Sequence, residues 1–149
     1  MAVHAQKFAK HISAEEAARP VTSGMWLDYG FGVCQPYVFD TALAARAQTL
    51  RGVKIRSGIT LRPRAYQKAD PTGEHILGLN WHFSVYDRRQ HDAGQCNYLP
   101  LNLGEWPDLY HRFIDRVDMA VIQVCPRDAN GYYNFSAAVP CRSCIGREG

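Results

Sequence analysis

Residues Trp26 to Arg46 read WLDYGFGVCQPYVFDTALAAR, and no other stretch restricts the fold as tightly. Met25-Trp26-Leu27 has the character of a short buried strand. Gly30 and Gly32 mark a turn that closes at Gln35-Pro36. A helix is predicted from about Val38 through Arg46, with Leu43 and its alanines on one face. A strand that feeds a helix through glycines leaves backbone N–H groups at the helix start, which can hold an anion or a developing oxyanion. The same glycines equally serve a tight turn of positive φ. The pattern lacks the third glycine of a dinucleotide fingerprint and the Gly-Lys-Ser/Thr of a P-loop.

The rest of the chain repeats the alternation. Ser13-Ala14-Glu15-Glu16 is a capping box that starts a short helix, stopped by Pro20 or Ser23-Gly24. Val53 to Arg56 is a strand after Gly52, and Arg62 to Glu74 is a polar loop with room for one helical turn. Ile76 to Ser84 is a third strand, carrying Asn80, Trp81 and His82 at its far end. Val85 to Ala93 is a polar helix ended by Gly94, and Cys96 to Leu101 a short fourth strand. Glu105 to Asp115 places Leu109, Tyr110 and Phe113-Ile114 at helical spacing. Val117 to Val124 is an apolar run, expected in a central parallel position covered on both faces. Asn130-Gly131 makes a tight turn into Tyr132 to Phe135, a return strand or ordered arm. Strands alternating with helices predict an open, mostly parallel α/β sheet with flanking helices. Ligands bind beyond the carboxyl ends of such strands. The Gly30–Pro36 turn and the Asn80-Trp81-His82 end are expected together on that side.

With 149 residues the chain suits one domain or part of a larger protein. Its net charge of +3 is not gathered into a basic stripe, which argues against nucleic acid; Arg62, Arg64 and Lys68 are expected on a solvated face. No apolar run nears the roughly 20 residues that span a bilayer. The first residues carry no secretory h-region, so a cytoplasmic protein is expected. The five cysteines, Cys34, Cys96, Cys125, Cys141 and Cys144, lack framework spacing and are expected as free thiols. Cys141-Arg142-Ser143-Cys144 is a CxxC without the second pair that zinc needs. No histidine pair has metal-ligand spacing. His82, between Trp81 and Phe83, is expected as a core or half-buried residue with one satisfied hydrogen bond, with a donor role in a substrate pocket as the other reading. Glu74 and Glu105 suit solvated or capping positions, and no GxSxG or partnered nucleophile is present.

Several words in one collinear order carry a resemblance: Ser13–Arg46, VKIRSGITLRP (Val53–Pro63), DPTGEHILGLNWHFS (Asp70–Ser84), CNYLPLNLGEWP (Cys96–Pro107) and VDMAVIQVCPRDANGYYNFS (Val117–Ser136). The chain resembles the N-terminal domain of the acetyl-CoA hydrolase/transferase family, in its butyryl-CoA:acetate or 4-hydroxybutyrate CoA-transferase flavour. The resemblance implies two tandem α/β domains with the active site between them, the first incomplete here at its C-terminal end. It implies that a glutamate of the second domain attacks the acyl-CoA thioester, passes through an acyl-glutamyl anhydride, and becomes a glutamyl-CoA thioester that a carboxylate acceptor discharges. Gly30, Gly32, Gln35 and His82 would line the CoA and substrate site, with no catalytic residue in this chain, no metal and no cofactor beyond CoA as substrate. The implied partners are an acyl-CoA, a small carboxylate, and the second domain or a separate subunit, with neither nucleic acid nor membrane; a homo-oligomer stays open. The domain layout expected is an extension over 1–12, the family domain over 13–136, and a divergent tail over 137–149 whose texture suits a frameshifted or prematurely ended reading frame. On this reading the chain alone is inactive. The alternatives are a non-catalytic acyl-CoA-binding or partner-binding subunit of a split transferase, or an acyl-CoA hydrolase.

Overall fold

The computed structural model describes residues 10–112 and 116–135. The tail from 137 with Cys141 and Cys144, and residues 113–115 at the end of the helix expected over Glu105–Asp115, lie outside them. Among the described residues five strands and five α-helices follow in the order α1 (Ala14–Ala18), β1 (Trp26–Tyr29), α2 (Tyr37–Ala44), β2 (Val53–Ser57), α3 (Ala65–Ala69), β3 (Ile76–Asn80), α4 (Val85–Asp92), β4 (Cys96–Tyr98), α5 (Trp106–Arg112) and β5 (Met119–Val121). The strands form one parallel sheet in the order β4-β3-β2-β1-β5. The expected capping box is present: Ser13 Oγ accepts from the Glu16 N–H, and Glu16 Oε2 accepts from the Ser13 N–H. A second box starts α4, with Ser84 and Asp87 in the two roles. Gly94 follows α4 at φ +77, a conformation that suits glycine.

Strand periodicity divides the sheet into two faces. Leu27, Tyr29, Val53, Ile55 and Ile76 join Phe39, Leu43 and Tyr66 in the core beneath α1, α2 and α3. Gly78 belongs to this face because a Cβ there would lie 2.6 Å from the Tyr66 hydroxyl. Trp26 and Asp28 point the other way. There Tyr110 of α5 donates a hydrogen bond to Asp28, and the Arg56 guanidinium lies 4.3 Å from the Trp26 ring and 5.8 Å from that of Tyr110. The chain steps outward from β1 to β4, then returns under the opposite face to pair β5 with the free side of β1. The junction between β1 and β5 is therefore a topological switch point, where ligand crevices form in open α/β sheets.

Two expectations are corrected and one choice is decided. The apolar run from Val117 to Val124 is not a central strand in the described sheet: only Met119–Val121 forms a strand, it pairs with β1 alone among the described residues, and Ala120 is exposed. An apolar run records what a strand's faces touch, not how many neighbours it has, and here Met119 and Val121 rest on the core from the edge. Arg64 is not on a solvated face but 3 % exposed, whereas Arg62 and Lys68 are exposed as expected. Of the two alternatives for Tyr132 to Phe135, the arm is the one present: it forms no strand and is tied by the Cys125 N–H to the Asn134 carbonyl at 2.8 Å.

Burial pushes the Asp28 carboxyl up to about 7, against the hydrogen bond from Tyr110 and the Arg56 charge. The unfolded chain ionises such a group near its ordinary value of about 3.9. Between those values the folded protein holds a proton that the unfolded chain has released. Stability from this group is therefore full below the window and lost as pH rises through it. Asp28→Asn should flatten the fall in urea-unfolding free energy between about pH 4.5 and 7.5; an unchanged slope in that variant would clear Asp28 of the effect.

Candidate active-site edge

The loops after β1 and β3 meet at the carboxyl edge of the sheet, as the sequence predicts, and the loop after β2 joins them there. After Tyr29 the chain runs through Gly30-Phe31 into a single 3-10 turn, Gly32–Cys34, and reaches α2 by way of Gln35-Pro36. Gly32 has φ +55, which a residue with a side chain adopts only under strain. Gly30 is required for a different reason: a Cβ there would fall 2.2 Å from the Cys34 carbonyl oxygen. Neither glycine leaves its amide free. The Gly30 N–H donates to the Val121 carbonyl at 3.2 Å and the Gly32 N–H to that of Gly58 at 3.1 Å. An anion held by these two donors is thus excluded by the hydrogen bonds they already make.

Gln35 does the tying in this loop. It is 2 % exposed, and its Nε2 donates to the carbonyls of Gly58 (3.1 Å) and Ile59 (3.0 Å) in the loop after β2. Those two donations fix which amide atom is oxygen. With Tyr29, Pro36, Tyr37, Asp40 and Arg64, Gln35 lines a narrow crevice. Burial raises the Asp40 carboxyl there, although the Ala65 N–H, Arg64 and Tyr29 oppose it. The Ile59 N–H in turn donates to the His82 carbonyl at 2.8 Å, joining the loop after β3. His82 itself is exposed rather than in the core or half-buried: Trp81, 6 % exposed, takes the inward position, and the His82 ring lies 6.3 Å from Phe31. Phe31 rests 5.7 Å from Trp106, which is 4.8 Å from Trp81. All four predicted lining residues therefore sit on one edge: Gln35 as its brace, the two glycines as close-packed backbone, His82 at the surface.

Beneath this edge lies a polar network that the sequence did not reveal. The Asp87 carboxylate, 1 % exposed, accepts from the Thr60 N–H (3.0 Å), the Thr60 hydroxyl, the Asn80 amide and the Ser84 N–H (2.8 Å). Arg64 Nη2 donates to the hydroxyls of Ser57 (2.9 Å) and Thr60 (3.0 Å), and the Ser57 hydroxyl donates to Asn80 at 2.8 Å. Burial alone would raise the Asp87 carboxyl, but the donors from Thr60 and Ser84 outweigh it and hold its pKa below the ordinary value. The one available signal was the Ser84-x-x-Asp87 spacing of a capping box. Among the described residues no cluster of histidine, cysteine or carboxylate suits a metal ion, and Cys34, Cys96 and Cys125 are free.

Two substitutions test this bracing. Asp87→Ala leaves buried donors from three loop positions unmatched and should cost about 3–5 kcal/mol of unfolding free energy. Gln35→Leu frees two carbonyls and should cost about 1–3 kcal/mol. Denaturant titration measures both; a loss under about 0.5 kcal/mol, ordinary for surface positions, would contradict the assigned role.

Three comparisons bear on the whole chain. Butyryl-CoA:acetate CoA-transferase of Anaerostipes caccae is 38 % identical over 123 residues, which are 83 % of this chain and 28 % of that protein. A probable butyrate:acetyl-CoA coenzyme A-transferase of Syntrophomonas wolfei is 35 % identical over 130 residues, 87 % of this chain and 29 % of its own length. The crystal structure of RipA from Yersinia pestis superposes with a TM-score of 0.68 at 23 % identity, over 82 % of this chain and 30 % of that one, a likeness of fold. The chain thus spans under a third of the length of these relatives. The family description matches residues 2–145, which takes in the first residues and most of the tail set apart by the sequence reading. The chain belongs to the acetyl-CoA hydrolase/transferase family and carries its N-terminal domain.

Proposed function

We propose that this chain supplies the N-terminal domain of a cytoplasmic acyl-CoA:carboxylate CoA-transferase, which moves CoA from an acyl-CoA such as butyryl-CoA to acetate or a similar carboxylate. The observation that carries the reading is the 38 % identity to a butyryl-CoA:acetate CoA-transferase over most of this chain. The braced loops at the switch point support it, because they offer a preformed wall where an α/β sheet receives its ligand.

In the proposed reaction a glutamate outside this chain attacks the thioester carbonyl and the CoA thiolate leaves, giving an acyl-glutamyl anhydride. The thiolate then attacks the glutamyl carbonyl and the free acid departs, leaving a glutamyl-CoA thioester. An incoming carboxylate repeats the two steps in reverse and carries CoA away. Covalent relay of this kind divides one difficult exchange into easier ones. Gly30, Gly32, Gln35 and His82 belong to the wall facing that glutamate; they shape and orient, and none of them is the nucleophile. Four carboxylates here are poor candidates for the nucleophile's part: Asp28, Asp40, Asp70 and Asp87 are buried and held by hydrogen bonds.

The chain of 149 residues alone should give no CoA transfer from butyryl-CoA to acetate. Turnover by it at an enzymic rate, roughly 1–1,000 per second, would overturn the assignment of the nucleophile to another segment. Recovery of transfer on adding a separately produced second half would favour a split enzyme. Release of free CoA without an acceptor would favour a hydrolase.

A further inference from the structure

We propose that Cys34 and Cys125 are an oxidisable pair, which a hydroperoxide closes into a disulfide across the junction of β1 and β5. The pairing stands apart from the CoA-transferase reading, since the proposed reaction leaves both thiols idle.

The first observation is that hydrogen bonds draw the two cysteines to one place. Cys34 ends the 3-10 turn after β1, and its carbonyl accepts from the Gln123 N–H, just past β5, at 2.7 Å. Two residues on, the Cys125 N–H donates to the Asn134 carbonyl at 2.8 Å. The Cys34 thiol donates to the next carbonyl of the same arm, that of Phe135, at 3.5 Å. Both cysteines thus hold successive carbonyls of one arm. The thiols also lie close enough to feel each other: burial raises the Cys34 pKa, and the charge of an ionised Cys125 raises it further. Cys96, by contrast, is buried on β4, at the opposite edge of the described sheet from β5.

The second observation is that the two thiols differ in access. Cys34 is 1 % exposed, whereas Cys125 is half-buried. A hydroperoxide therefore meets Cys125 first. The Cys125 sulfur attacks the O–O bond and becomes a sulfenic acid, and with hydrogen peroxide the other oxygen leaves as water. The Cys34 sulfur then attacks the Cys125 sulfur. Hydroxide departs, takes the Cys34 proton and leaves as a second water, with an S–S bond behind it. Two thiols are oxidised and one peroxide is reduced. Burial shields Cys34 from the oxidant and does not bar this second step, because the partner is beside it. A disulfide needs the two Cα atoms within about 7 Å. Residues 122–128 belong to no helix or strand, so any movement needed to reach that spacing falls on this segment. The bond would fasten the loop after β1 to the chain after β5, the two flanks of the switch point.

The test exposes the native chain of 149 residues to a small excess of hydrogen peroxide. Remaining thiols are then alkylated in denaturant, and the digest is mapped without reductant. A Cys34–Cys125 linked peptide is expected, absent after dithiothreitol and formed in several-fold higher yield by the native chain than by the chain in urea. Cys125→Ser should leave Cys34 reduced under the same exposure, and Cys34→Ser should let Cys125 run on to the sulfinic acid. A wild-type Cys125 found as sulfinic acid, or linked to Cys141 or Cys144 with Cys34 still alkylated, overturns the proposal. So does a Cys34–Cys125 peptide formed equally well in urea, which would mark chance pairing of an unfolded chain.

Discussion

The carboxylate of Asp87 is the point on which this edge of the protein depends. It lies where water does not reach, and it is matched by donors from the loop after β2, from the end of β3 and from the start of α4. An ionised group in such a place is tolerated only when its lone pairs are filled. Once filled, it converts three separate loop ends into a single support. Arg64 extends that support toward α3, and the Gly58-Ile59 backbone standing on it receives Gln35 from the loop after β1. Each layer fixes the next, from buried charge to loop backbone to the glycine turn at the surface.

The two faces of the sheet use different physics. One is a conventional apolar core in which α1, α2 and α3 cover alternating residues of β1, β2 and β3. The other is held by charge and aromatic rings: Asp28, Tyr110, Arg56 and Trp26, with α5 laid over them. Crossing the chain to this second face places β5 beside β1 and makes the switch point. The location of the candidate site thus follows from connectivity, and its rigidity from the network beneath it.

Much of the fold is legible in the sequence, because its signals are local. The capping box at Ser13, the glycine stops and the helix that follows Gln35-Pro36 each act within a few residues, and they give the element order correctly. The meeting of the Gly30 and His82 loops also follows, since parallel strands put all their carboxyl ends on one side. What is not legible depends on partners distant in the chain. The position of β5 at the edge of the described sheet is decided by which strand it pairs with, and apolarity does not encode that. Arg64 and Asp87 look like surface residues until Ser57, Thr60 and Asn80 are brought around them. The spent amides of Gly30 and Gly32 are hidden for the same reason, because their acceptors are Val121 and Gly58. The glycines announce a special backbone, but only the fold says whether it is open to a ligand.

The double donation by Gln35 has a mechanical consequence. A side chain that holds two successive carbonyls of a neighbouring loop acts as a cross-link, so the loops after β1 and β2 translate and rotate as one body. Neither can fold over a substrate by itself. In an enzyme assembled around this domain, the motions of closure and product release would fall to whatever faces this edge, and this side would serve as the anvil.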